Sequence, residues 1–134
     1  MMTKKSLTPE LYRVCDANLN RLKEGIRVVE DIMRYGDNNK ELSHKLKHLR
    51  HLAQMDDDAL LQNRDSINDV LRTTIKSELN RSCVKDIITA NFKRAQESSR
   101  VLEELFKLEN VEYSERFKHI RYELYDLEKI ILKL

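Results

Sequence analysis

A polar repeat constrains the fold of this chain more than any other feature of its sequence. Residues 17–31 (ANLNRLKEGIRVVED) align with residues 90–104 (ANFKRAQESSRVLEE), with seven of fifteen positions identical and five of those seven polar. A shorter match follows in each half, LKHLR at 46–50 against FKHIR at 117–121. Because chance similarity explains both matches poorly, the sequence predicts two related halves. They cover about 9–55 and 82–134 and are joined by a linker over 56–81.

Apolar spacing and capping residues predict a helical hairpin in the first half. A cap at Thr8 begins a helix that ends before Gly36, a residue suited to a left-handed helix stop. Asn38, with Glu41 three residues later, predicts a capping box for a second helix that reaches about Met55. The first half is therefore expected to be an αα-hairpin.

The second half repeats this arrangement. Ser82 begins a run that reaches Leu108, and Ser114 opens a last run that continues close to Leu134. Two similar hairpins can bury their apolar faces against each other with approximate two-fold symmetry. The chain is thus predicted to be all-α, a four-helix bundle in a single helical domain over 1–134.

Composition excludes several classes of function. With two glycines in 134 residues, the chain has neither a Walker A loop nor a Gly-rich dinucleotide fingerprint, so any phosphate site must use side chains. No run approaches the ~20 apolar residues of a membrane span, and a cytoplasmic location without membrane association is predicted. The formal charge of +2 is too balanced to indicate nucleic-acid binding. Cys15 and Cys83 lack metal or redox spacing and are expected to be inert.

Polar side chains recur on the apolar side of both long helices. On a helical wheel they fall inside or at the edge of the apolar arc, and they are Asn18, Arg21, Asn91 and Arg94. Buried polar groups need partners, which could be each other, a carboxylate such as Glu24 or Glu97, or an anionic ligand. Two interpretations stay open: a satisfied internal network that fixes helix register, and a cationic pocket between the long helices. Gly25 and Ser98, one turn on, would leave room for a ligand and favour the pocket.

The far side of the long helices has a different pattern. Arg27 and Glu30 fall there, and acidic residues three and four positions away from Arg27 and Arg100 are typical of an exposed ion-pair ladder. This spacing favours the ladder over a binding role for the two arginines.

Two further groups could bind ions. His44, His48 and His51 share one face of the second helix and could mimic a metal site, or could form, with Lys47 and Arg50, a basic stripe for phosphates. In the linker, the pair Asp65 and Asp69 could hold Mg²⁺ through oxygen ligands or could simply form turns.

A resemblance to a known family covers nearly the whole chain. The strings DANLNRLKEGIRVVED and ANFKRAQESSRVLEE, with RD…D between them and RYELYDLEK near the end, resemble the monofunctional hydroxymethylpyrimidine-phosphate kinases of thiamin biosynthesis. The same unit resembles the amino-terminal extension of some bacterial thiamin-phosphate synthases. The resemblance implies that the protein uses ATP and Mg²⁺ to convert hydroxymethylpyrimidine phosphate into its diphosphate.

On this interpretation, each repeated residue has an expected role. Phosphate binding and charge neutralisation are assigned to Arg21, Arg94, Arg50 and Arg121, with Lys47, Lys118, Arg27 and Arg100 as supporting charges. Asn18 and Asn91 would orient the pyrimidine edge or a phosphate. Glu24, Glu97 and Asp65 would bind Mg²⁺ or hold the arginines, and Asp69 is assigned to the metal with Asp65. The expected catalytic residues are Arg21, Arg94, Glu24 and Glu97. The alternative is a non-catalytic helical module that dimerises with, or regulates, a thiamin-phosphate synthase. A homodimer of this chain is also an expected assembly.

Overall fold

A computed structural model of the protein describes residues 6–75 and 79–134 and is helical throughout. The helices are α1 (Pro9–Asp31), α2 (Lys40–Leu52), α3 (Asp58–Gln62), α4 (Val84–Phe106) and α5 (Val111–Ile131). No strand occurs in the described ranges, so the all-α prediction is confirmed. The short helix α3 lies within the predicted linker and was not expected. The linker also includes residues 76–78, which lie outside the described residues, as do residues 1–5.

The two long helices form the centre of the bundle. Helix α1 packs against α4, α2 and α3, while α4 packs against α5, and a smaller contact between α2 and α5 closes the bundle. The residues buried at its centre include Leu22, Ile26, Leu46, Phe92, Leu102, Phe106, Phe117, Ile120 and Leu124. In the part of the chain described, no helix is both long and apolar enough to span a bilayer.

Gly25 allows α1 and α4 to approach each other closely. A Cβ atom at this position would lie 2.9 Å from the carbonyl oxygen of Asn91 and 3.3 Å from the Cβ of Ala95. The equivalent residue of the second repeat, Ser98, carries a side chain and is nonetheless buried. The repeat is therefore symmetric in sequence pattern but not at this close contact.

The end of α1 differs from the prediction. The chain leaves α1 through a π-helical turn at Ile32–Gly36, and Gly36 does not have a positive φ. The left-handed residue is Asn38, with φ 51°, whose short polar side chain tolerates this conformation. Asn39, rather than Asn38, caps α2, because its side-chain oxygen accepts a hydrogen bond from the Leu42 amide at 3.0 Å.

The starts of α4 and α5 also differ from the prediction. Helix α4 begins two residues after Ser82, and α5 begins after Asn110, whose side chain accepts hydrogen bonds from the first turn. Ser114, predicted as the start of the last helix, is buried inside it and donates its hydroxyl to the carbonyl oxygen of Glu103 at 2.7 Å. A serine at this position resembles a cap, but its hydroxyl serves equally well as a bridge between helices.

Candidate phosphate-binding groove

A buried ion pair ties the second helix to the long helix in each repeat. In the first repeat, the Glu30 carboxylate accepts hydrogen bonds from Arg50 Nε at 2.7 Å and Nη2 at 3.1 Å. In the second, Glu103 Oε1 accepts from Arg121 Nε at 3.1 Å and Nη2 at 2.9 Å. Glu30 and Glu103 occupy the same place in the repeat, so the repeated polar pattern includes a pair of structural salt bridges.

These pairs correct two expectations from the sequence. The helical wheel predicts that Glu30 lies on the solvent-exposed side of α1, yet its side chain is only 2% exposed. The reason is that α2 packs against this side of α1. Arg50 and Arg121 were assigned to phosphate, whereas their guanidinium groups bind carboxylates. Hydrogen bonds from Arg50 to Glu30 raise the pKa of Arg50, and bonds of Arg121 to Tyr125 and Glu103 raise that of Arg121. The internal-network interpretation therefore describes this part of the repeat.

The pocket interpretation describes another part. Arg21 and Glu24 of α1 face Arg94 and Glu97 of α4 across a groove of about 640 Å³ between the two helices. The other residues lining this central groove are Asn18, Ala90, Lys93, Ser98 and Val101. The structure thus brings together, in one groove, the four residues predicted to be catalytic.

The arginines of the central groove are open to solvent. Arg21 and Arg94 were expected to point inward, but both are exposed, since a guanidinium at the edge of an apolar arc can keep its head group hydrated. Among the residues described, no ion pair engages Arg21, Arg94, Glu24 or Glu97. Lys93 adds a third positive charge and donates to Glu128 at 3.1 Å. Such a groove offers two uncommitted guanidinium groups to an anion.

The two repeated asparagines are held by their own helices. Asn18 donates its amide to the Val14 carbonyl at 2.9 Å, and Asn91 donates to the Ile87 carbonyl at 2.8 Å. This hydrogen bond satisfies one N–H of each side-chain amide and fixes the orientation of the amide. Asn18 is buried and Asn91 is half-buried. Asn18 lines the central groove with its side chain otherwise available, whereas Asn91 is not among the groove's lining residues.

A second compartment adjoins the central groove on the α1 side. It has a volume of about 510 Å³, shares Asn18 and Arg21 with the groove, and is lined on the other side by residues 64–66 and Asp69 of the linker. We call it the linker compartment. Its lining combines polar residues with an apolar wall from Val14 and Ala17.

Two arginine contacts hold the linker in this position. Arg64 binds the Asp16 carboxylate through Nε at 2.7 Å and Nη2 at 2.8 Å, and Arg13 donates from Nη2 to the Asp65 carbonyl oxygen at 2.8 Å. Hydrogen bonding to Asp16 raises the pKa of Arg64. Sequence reasoning missed Asp16 and Arg13, which lie outside the repeat: their equivalents in the second half are Thr89 and Asp86. No spacing rule pairs a helix residue with a loop residue 48 positions away.

The two linker acids act as turn formers. Asp65 accepts hydrogen bonds from the Asn68 side chain at 2.7 Å and the Asn68 amide at 3.1 Å, and these bonds lower the pKa of Asp65. Asp69 accepts from the Leu71 amide at 3.0 Å. No cluster of three or more His, Cys, Asp or Glu residues suited to a metal occurs within 6–75 and 79–134. Both oxygens of Asp65 and Oδ1 of Asp69 already accept hydrogen bonds within the turn, so their assignment to Mg²⁺ stays a prediction.

Comparison with known proteins identifies the family. The ThiD2 family matches residues 13–130, which include both copies of the repeat and the helices that form the groove. The chain belongs to the ThiD2 family. No solved structure matches this ThiD2 chain significantly.

Several relatives of this ThiD2 protein are longer proteins. It is 37% identical over 131 residues to a thiamine-phosphate synthase of Nostoc punctiforme, an alignment that covers 96% of this chain and 37% of that protein. It is 41% identical over 124 residues to a thiamine-phosphate synthase of Synechocystis, covering 91% of this chain and 36% of that protein. The chain therefore spans about a third of the length of these relatives.

The remaining predicted residues of this ThiD2 chain lie outside the central groove. Arg27 pairs with Asp31 at 3.3 Å, and Arg100 pairs with Glu104 at 3.2 Å and with Glu103 at 3.5 Å, as the ladder interpretation expects. The exposed lysines Lys47 and Lys118 lie on α2 and α5, away from the groove formed by α1 and α4. The histidines of α2 (His44, His48 and His51) are exposed as well.

Proposed function

We propose that this ThiD2 protein transfers the γ-phosphoryl group of ATP to hydroxymethylpyrimidine phosphate, giving the diphosphate. The observation that carries the proposal is the central groove, in which the repeated Arg21 and Arg94 face each other without carboxylate partners among the described residues. Two guanidinium groups on facing helices suit a reaction that brings two anionic phosphates together. The family resemblance and the thiamine-phosphate synthase relatives support the choice of substrate.

The reaction needs little from the protein beyond positioning and charge neutralisation. A phosphate oxygen of the pyrimidine substrate attacks the γ-phosphorus of ATP, and the bond from that phosphorus to the β–γ bridging oxygen breaks, so its electron pair leaves with ADP. The attacking oxygen is already anionic and requires no strong general base. Arg21 and Arg94 would hold the two phosphates in line and stabilise the charge that develops between them.

The carboxylates of the central groove have a second role in this proposal. Glu24 and Glu97 lie one turn from Arg21 and Arg94 and limit the net positive charge of the groove, so that product as well as substrate can leave. Magnesium, when it enters with ATP, supplies charge neutralisation at the phosphates. Asp65 and Asp69, in the adjoining compartment, would bind it through carboxylate oxygens or through water.

The proposal is tested by ATP consumption with purified protein, Mg²⁺ and hydroxymethylpyrimidine phosphate, with the unphosphorylated alcohol run in parallel. Turnover of the phosphate alone is the expected result, because the two arginines of the groove can bind and position a phosphate nucleophile, whereas an uncharged alcohol offers them nothing to hold. No turnover of either compound by a folded sample would overturn the proposal.

Two substitutions locate the activity. Arg21→Ala and Arg94→Ala are each expected to lower kcat/KM by about 100-fold, since each removes a guanidinium that stabilises transition-state charge. Because both residues are exposed, the melting temperature should change by only a few degrees. Arg34→Ala is the matched control, an exposed arginine of the same half whose guanidinium stacks on Tyr35. Full activity in both groove variants would show that the groove is not the site.

A second function, a non-catalytic module that binds a partner, is favoured by a different observation. The linker carries four large apolar side chains that are at least 70% exposed: Ile67, Val70, Leu71 and Leu79. Surfaces of this kind mark interaction sites. The partner could be a second copy or a thiamin-phosphate synthase. Light scattering of the protein alone and with a synthase tests this candidate, and a monomer that does not bind the synthase would exclude it.

A further inference from the structure

We propose that the linker compartment is the binding site for the pyrimidine ring, with the phosphate of that substrate in the central groove and ATP entering from the α4 side. This assignment rests on the proposed function and names the half of the repeat that selects the substrate. It makes Arg64 and Asp16 positioning residues, because their ion pair holds the linker against α1.

The first argument is distance. The linker compartment and the central groove share Asn18 and Arg21, which are one helical turn, or about 4.5 Å of axial rise, apart. In hydroxymethylpyrimidine phosphate, three bonds of about 1.5 Å separate the ring from phosphorus. A substrate with so short an arm can place its phosphate at the reaction centre only if the ring lies in an adjoining space. In ATP, the bonded path from adenine to the γ-phosphate is longer than about 10 Å, so the adenine does not need a space next to the reaction centre.

The second argument is chemistry. The linker compartment offers an apolar wall, Val14 and Ala17, beside hydrogen-bonding groups of both kinds. Asn18 and Ser66 can accept or donate at the edge of a ring, and Arg13 also lines the compartment. A small heteroaromatic ring with nitrogen atoms at its edge needs this combination of a flat apolar surface and polar groups at the rim.

The third argument is asymmetry. The repeat gives both sides of the central groove the same arginine and glutamate, so these residues cannot distinguish two different substrates. The linker compartment exists because Asp16 binds Arg64 and Arg13 binds the Asp65 carbonyl oxygen. In α4 the equivalent positions are Thr89, which donates to its own helix at the Lys85 carbonyl, and Asp86, which accepts from the Ser82 amide. The second repeat therefore lacks the side chains that would hold a linker in this way.

Two variants test the assignment from different directions. Ala17→Leu adds volume to the wall of the linker compartment at an exposed helical position and leaves the ion pair intact. Arg64→Ala removes the contact that holds the linker. Each should raise KM for hydroxymethylpyrimidine phosphate at least about tenfold while KM for ATP changes less than about twofold. Arg72→Ala, an exposed linker arginine outside the compartment, is the control and should change neither.

Calorimetric binding of hydroxymethylpyrimidine phosphate without ATP separates this proposal from the kinase proposal. Weaker binding to Ala17→Leu than to the unmodified protein supports the compartment even if no ATP is consumed, in which case only the kinase activity fails. Turnover with unchanged pyrimidine KM in Ala17→Leu and Arg64→Ala overturns the compartment and leaves the kinase. A rise in KM for ATP alone reverses the assignment, and no binding to the unmodified protein overturns both proposals.

Discussion

In the first repeat Glu30 binds Arg50 at 2.7 Å, and in the second Glu103 binds Arg121 at 2.9 Å, so the two hairpins are held by the same buried contact. Their outer flanks differ. Asp16 of α1 binds the linker through Arg64, whereas Thr89, its equivalent in α4, bonds only to its own helix. The repeated interior builds a nearly symmetric groove, and the unrepeated linker makes one side of that groove different from the other.

The largest expected effect comes from breaking the contact that the two repeats share. Glu30→Gln and Glu103→Gln should each lower the free energy of unfolding by about 3–5 kcal/mol, because each leaves a largely buried guanidinium without its carboxylate. Urea denaturation followed by circular dichroism measures both. Similar losses would show that the symmetry of the repeat extends to its energetics.

The control for these variants is Glu104→Gln. Glu104 is exposed and pairs with Lys107 and Arg100, so its loss should cost less than about 1 kcal/mol. If Glu30→Gln or Glu103→Gln costs no more than this control, the buried pairs do not hold the hairpins together.

A smaller effect is expected where the two repeats differ inside the bundle. Gly25→Ala should destabilise the protein by about 1–3 kcal/mol, because the new Cβ would lie 2.9 Å from a backbone oxygen that cannot move independently. Ser98→Ala, at the equivalent position, retains a Cβ that is already accommodated and should change stability less. Thermal melts of both variants make the comparison. An increase in stability in Gly25→Ala would show that helix propensity outweighs the close contact.

No change of stability near neutral pH is expected from the two thiols, one in each half of the chain. Burial raises the pKa of Cys15 to about 12 from its ordinary 9.0, whereas Cys83 is exposed. At pH 8 a thiol reagent should therefore modify Cys83 at least about 100-fold faster than Cys15. Above pH 9 the unfolded chain loses the Cys15 proton while the folded chain keeps it, so stability should fall as the pH rises from 9 to about 12.

Cys83→Ser provides the control for the thiol measurement, since it should remove the fast reaction and leave Cys15 to react only on unfolding. Two equally fast thiols in the folded protein would show that Cys15 is not buried.

Sequence alone predicts the fold well because the repeat and the helical periodicity are local signals. It also brings Arg21, Glu24, Arg94 and Glu97 together, since two repeats that pack symmetrically place equivalent residues opposite each other. The helix starts were less accurate: Ser114 resembles a cap but forms a buried bridge to Glu103.

The errors at Glu30, Arg50 and Arg121 have one physical cause. A helical wheel assigns each helix a single buried side, whereas α1 and α4 each pack against neighbours on two sides. A glutamate on the second side looks exposed on the wheel. The contact of Asp16 could not be predicted from the sequence for another reason. Its partner Arg64 lies in an irregular segment, and no periodic pattern in the sequence predicts the path of that segment.

The close contact between α1 and α4 at Gly25 has a consequence for how such a protein can be assembled. A dimer of one identical hairpin would carry the same residue at both symmetric positions, either two glycines or two serines. This chain has Gly25 on one helix and Ser98 on the other, and it uses the connection between its halves as a wall of the linker compartment. Because the two halves are covalently joined, the α1 side and the α4 side of the central groove can carry different residues and bind different groups. Two separate copies of one hairpin could not differ in this way.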